Sequence, residues 1–220
     1  MKKFVKIILV FTLICFAACS TKHKKEALLT IESLVDEEPD SALVLLSAMK
    51  NKLLSRYEKA KVILYETIVK DRLDMDISDD IEIFDAAKNI LKKGTDLEKA
   101  KVLFNASKVH YQNNDNENAL VYAFDAKKYG LRTDDNTLKG LILANIGNLF
   151  YEKNHIDTAI IKYLQAIDYF YETDNYYELA FYLNLTGNCF ILLNNKNIAL
   201  YCYDEALKIS EKYNINSLEK

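Results

Sequence analysis

The pentapeptide EKAKV stands at Glu58–Val62 and again at Glu98–Val102, forty residues apart. The same step carries Gly147 onto Gly187, Phe150 onto Phe190, Ala159 onto Ala199, Tyr163 onto Tyr203 and Ala166 onto Ala206. Coincidences of size and shape at one offset predict a chain assembled from repeated supersecondary units, each burying its apolar face against the next. Within a unit, Leu141, Leu143, Ile146 and Phe150, then Ala159, Ile160, Tyr163 and Ile167, recur mostly three and four residues apart. That spacing predicts two amphipathic helices with one apolar stripe each. With only 5 Gly and 1 Pro in 220 residues, the chain lacks the turn residues that a fold of many short strands needs.

The junctions repeat as well. Asn154-His155 lies between the two helices of its unit, where Asn114-Asp115 and Asn194-Asn195 stand in theirs. A left-handed residue is expected there, and Asn tolerates that conformation better than most side chains. Ser55 with Glu58 and Thr95 with Glu98 have the spacing of capping boxes, and Asn175 with Glu178 is a looser version. Gly94 and Gly130 follow helical stretches where a C-terminal cap is expected. Ser78 is expected to start a helix that draws Asp79, Asp80 and Glu82 into its first turn, in preference to a cation site.

These residues resemble the tetratricopeptide repeat. Its pattern sets a small residue on the first helix, an aromatic three further on, then Ala, aromatic and Ala on the second. Gly147, Phe150, Ala159, Tyr163 and Ala166 fit it, as do Gly187, Phe190, Ala199, Tyr203 and Ala206. Ser107, His110, Ala119, Ala123 and Ala126 fit less closely, and Thr67, Lys70, Asp79, Ile83 and Ala86 hardly at all. The resemblance implies an all-α, right-handed superhelical solenoid of helical hairpins with a period of about forty residues. Residues 26–94 are then degenerate N-terminal hairpins. Residues 95–215 hold three repeats, about 96–130, 136–172 and 176–213, and 216–220 begin an incomplete further one. Asn216–Lys220 resembles Thr95–Lys99. Leu207, Ile209 and Tyr213 are expected to face a missing neighbour, so that this end self-associates or a longer parent continues it.

The N-terminus reads as an export signal: Lys2, Lys3 and Lys6, an apolar stretch from Ile7 to Phe16, then Ala17-Ala18 before Cys19. The apolar stretch is too short to span a bilayer. FAAC resembles a bacterial lipobox, which implies a signal peptide over 1–18, acylation of Cys19 and a polar tether over 19–25. The protein is then expected in the bacterial envelope, lipid-anchored and facing the periplasm. Without the three signal lysines, 26 basic side chains face 32 acidic ones, a balance of -6 that does not suit nucleic acid.

No catalytic motif emerges, so the chain is expected to be no enzyme and to hold neither cofactor nor metal. His110 falls in an interior aromatic slot and His155 in a turn. Cys189 and Cys202 occupy slots that do not face each other, so both are expected to remain thiols. The resemblance implies that first helices line a concave groove. By position this assigns Lys101, Asn105, Lys108, Asn145, Asn148, Tyr151, Asn184, Asn188 and Ile191 to it, mostly amides and amines suited to an extended peptide's main chain. The expected function is a membrane-anchored protein-interaction module for a peptide or protein partner. The alternatives are the sensor half of a longer signalling or transcription-regulating protein, and a nutrient-capture lipoprotein.

Overall fold

The computed structural model describes residues 23–50 and 52–215, and all regular secondary structure among them is α-helical. Cys19, the signal segment and Asn216–Lys220 lie outside the described residues. The chain forms two compact units, divided between Asp76 and Ile77.

The first unit holds α1 (residues 23–34), α2 (Pro39–Lys50) and α3 (Arg56–Arg72). Pro39 opens α2, where its missing N–H is not needed. Leu28, Ile31 and Val35 pack with Ala42, Leu46 and Met49 of α2 and Val62, Tyr65 and Val69 of α3 in one apolar cluster. Ser55 and Glu58 close a reciprocal capping box at the start of α3. Ion pairs from Arg72 to Asp36 and from Lys50 to Glu66, both 2.7 Å, tie its helices at the surface.

The second unit runs through α4 (Glu82–Lys93), α5 (Asp96–Gln112), α6 (Asn116–Gly130), α7 (Asn136–Glu152), α8 (Ile156–Phe170), α9 (Tyr176–Leu192) and α10 (Lys196–Tyr213). α4 packs on α5; α5 with α6, α7 with α8 and α9 with α10 pair as hairpins; α6 packs on α7 and α8 on α9. Each hairpin turns on a left-handed asparagine: Asn114, Asn154 and Asn194 have φ of 59°, 60° and 58°. The following N–H then donates to the carbonyl five residues back, Asp115 to His110, His155 to Phe150 and Asn195 to Phe190. This six-to-one bond satisfies a carbonyl that the helix end leaves open. Asp115 and Asn195 go on to cap the next helix through their side chains, whereas His155 makes no such bond. The return connections also repeat. Thr133 Oγ1 donates to Gly130 O and accepts from Asp135 N, and Thr173 does the same with Phe170 and Asn175.

Close helix approach is where the small residues act. A Cβ on Gly147 would lie 2.5 Å from Tyr163 Cε1, and one on Gly187 equally close to Tyr203 Cε1. Phe150 and Phe190 pack beside them as part-buried members of the cluster, and Ala159, Ala166, Ala199 and Ala206 are buried on the facing helices. Gly140 is a third close approach of this kind, where a Cβ would lie 2.5 Å from Cε1 of the buried Phe170 ring, and the repeat pattern does not single it out. Burying Tyr163, Phe170, Ile160 and Ile167 on α8 beneath Leu179, Tyr182 and Leu183 of α9 builds the centre of this unit.

Three local expectations are corrected. Gly130 is the buried last residue of α6, not a cap, and its place is explained by Ile142, whose Cδ1 would stand 3.0 Å from a Cβ there. Gly94, by contrast, is the C-cap of α4 as expected, its N–H donating to Ile90 O; its backbone is extended because the chain turns straight into the Thr95 cap of α5. Ser78 does not cap α4, whose start at Glu82 follows a turn around Asp80 and Ile81 with no side-chain cap. Asn175 precedes α9 but makes no side-chain cap bond.

Candidate partner-binding face

The first helices of two of the three hairpins are joined by polar bonds. Asn145 Nδ2 of α7 donates to Ser107 Oγ of α5 at 2.8 Å, and Ser107 in turn donates to Ala119 O on α6. Tyr111 OH of α5 donates to Glu152 Oε1 of α7 at 3.4 Å. On the other side Leu143 and Ala144 of α7 share one buried apolar cluster with Leu179, Tyr182 and Leu183 of α9. α5, α7 and α9 therefore lie side by side.

This arrangement divides the residues that the sequence assigns to a groove. Asn105 is buried and donates to Lys101 O one turn back, and Asn145 is buried against Ser107. Their amides satisfy the protein's own polar groups, which is what burial requires of them. Asn148 is half-buried, its Oδ1 accepting from Tyr163 OH at 2.9 Å. Burial drives the Tyr163 hydroxyl well above its ordinary titration range, so it stays protonated and keeps this bond. Asn188 is exposed; Tyr203 OH fixes its Oδ1 at 2.7 Å, leaving its NH₂ directed elsewhere. Lys101, Lys108, Tyr151 and Asn184 are half-exposed and Ile191 is exposed.

The face changes character across the three helices. At α5 it offers Lys101 and Lys108, the latter with Nζ 5.5 Å from the Phe104 ring centre. At α7 it carries Tyr151 and Glu152, and at α9 it ends in Phe181 and Ile191, with Phe181 stacked on Tyr177 at 6.3 Å. Phe104, Tyr111, Glu152 and Phe181 escaped the sequence reading. Their signal was available: each lies one turn, or one residue, from a position already assigned to the same helix face.

His110 lies beside this face, half-buried, with Nδ1 3.0 Å from Asp115 Oδ2 and its ring 4.3 Å from Phe84 and 5.1 Å from Tyr122. His155 is exposed in its turn. Cys189 and Cys202 are buried free thiols. Burial pushes Cys189 up to about 11 and Cys202 above its usual range, so neither offers a thiolate near neutral pH. Among the described residues, no helix is long and apolar enough to cross a membrane.

No protein-family model and no curated protein matches the sequence. Among solved structures, the chain is similar to the crystal structure of BtubC (BKLC) from P. vanneervenii, with a TM-score of 0.63 and 17% identity, over 90% of this chain and 79% of that one. At that identity the likeness concerns the fold alone, and it establishes an all-helical architecture shared across most of the length of both chains.

Proposed function

We propose that the chain is a tetratricopeptide-like solenoid with a period of about forty residues, tethered to the bacterial envelope by an acylated Cys19, and that it binds an extended peptide segment of a protein partner across α5, α7 and α9. The observation that carries the binding reading is the graded face: amines at α5, a phenol at α7, an exposed amide and large apolar side chains at α9. The recurrence of left-handed asparagines and of the glycine–tyrosine approach forty residues apart supports the repeat reading. The role needs no catalytic group, and we read the protein as a scaffold or adaptor.

The gradient defines a ligand. Lys101 and Lys108 attract a carboxylate, the Asn188 amide donates to a main-chain carbonyl, and Phe181 with Ile191 accepts an apolar side chain. Neighbouring helix axes lie about 8–10 Å apart, so α5 to α9 spans roughly 20 Å, the reach of about six extended residues. Selection from a random peptide library should therefore enrich segments with an acidic residue about five or six positions from a large apolar one. Lys101→Glu with Lys108→Glu should lower the affinity of enriched peptides at least tenfold and flatten its salt dependence, while the circular dichroism spectrum stays unchanged. Enrichment without acidic residues, or equal affinity for the variant, would place recognition elsewhere.

A further inference from the structure

α8 and α10 are the second helices of successive hairpins, and their residues correspond forty apart. One is covered and the other is not. α9 lies on α8 and leaves Ile160 only 6% and Ile167 only 4% exposed, whereas the matching Leu200 and Leu207 of α10 are 64% and 57% exposed. α10 thus carries a face of the kind that takes a helix in this fold, and its flanking charges indicate which helix.

At 3.6 residues per turn, Lys196, Leu200, Leu207 and Glu211 fall within an arc of about 60°, with half-buried Tyr203 between the leucines. Lys196 and Glu211 are exposed. The described ion pairs of α10 join Lys208 to Asp204 at 2.6 Å and to Glu205 at 2.8 Å, and involve neither of them. Read in one direction the stripe is cation, Leu, Leu, anion. Read in reverse it is its own electrostatic complement.

We propose that α10 pairs antiparallel with α10 of a second copy of this chain. The register sets Leu200 against the partner's Leu207 and Lys196 against the partner's Glu211, and two-fold symmetry makes each contact twice. A parallel pairing would stack Lys196 on Lys196 and Glu211 on Glu211, so the charges select the antiparallel form. The helix of 18 residues is about 27 Å long, which places the interface at the small, weak end of the range for specific association. The inference stands apart from peptide binding, because it uses a different helix and different residues.

Sedimentation equilibrium of the full chain in a density-matched detergent tests it. A monomer–dimer equilibrium is expected. Lys196→Glu and Glu211→Lys should each weaken it about tenfold, more so at low salt, because each variant creates two like-charge contacts. Combining the two should restore the wild-type constant to within about threefold, since the charge order is then simply inverted. Leu200→Glu, at an exposed position where folding is not at stake, should abolish the dimer. A chain that stays monomeric, a dimer indifferent to the charge reversals, or single variants that the combination does not rescue would each overturn the proposal.

Discussion

Gly147→Ala is expected to destabilise the protein by about 1–3 kcal/mol, although alanine is the better helix former by about 1 kcal/mol. The added Cβ would meet Tyr163 Cε1 at 2.5 Å and Cδ1 at 2.6 Å. The ring cannot yield, because Tyr163 is fully buried, its hydroxyl is bonded to Asn148, and the Tyr182 ring lies 5.7 Å away. Gly187→Ala is the internal control. It brings the same 2.5 Å approach, to Tyr203, whose hydroxyl is likewise bonded, to Asn188 at 2.7 Å, but that bond is exposed and the ring is only half-buried beside the open face of α10, so it can move outward and trade the bond for one to water. Its cost should therefore be under about 1 kcal/mol, offset by the gain in helix propensity. Thermal and urea midpoints of the two variants decide between this account and one in which both glycines are incidental. Equal shifts would refute the difference in confinement on which the prediction rests.

The second large effect concerns the proposed acyl anchor at Cys19. Cys19→Ala is expected to move the protein entirely from the membrane to the soluble fraction. Each buried methylene of an acyl chain contributes about 0.8 kcal/mol, and no described helix could replace the anchor by crossing the bilayer. Labelled fatty acid should be incorporated by the wild type and not by the variant. A variant that still sediments with membranes, alongside a wild type that takes up no label, would end the lipoprotein reading.

Helical content and the hairpin turns were legible in the sequence because they depend on local chemistry. Asn114, Asn154 and Asn194 tolerate a left-handed backbone with few competitors, and Thr95 with Glu98 reads as a capping box in any context. What escaped depends on contacts between helices. Gly140 looks like any helical glycine until Phe170 is known to lie against it, and Gly130 looks like a cap until Ile142 is placed. The candidate binding face shows the same limit. Position alone put Asn105, Asn145, Asn148, Asn184 and Asn188 on one face, yet an amide at that face can serve the partner or the protein. Ser107 engages Asn145 and Tyr163 engages Asn148 at the middle of the face, whereas Asn188 keeps an exposed amide and Asn184 a half-exposed one. Ser78 misled because a serine before carboxylates is a helix signal only when the backbone is free to start there.

The central claim is that recognition takes place on the first helices of the hairpins, and hydrogen exchange with and without a library-selected peptide tests it most directly. Helix amides near the bound segment should gain protection in α5, α7 and α9, strongest around Lys108, Tyr151 and Asn188, while α6, α8 and α10 exchange as before. Protection confined to α6, α8 and α10, or to the turns at Asn114, Asn154 and Asn194, would contradict the claim.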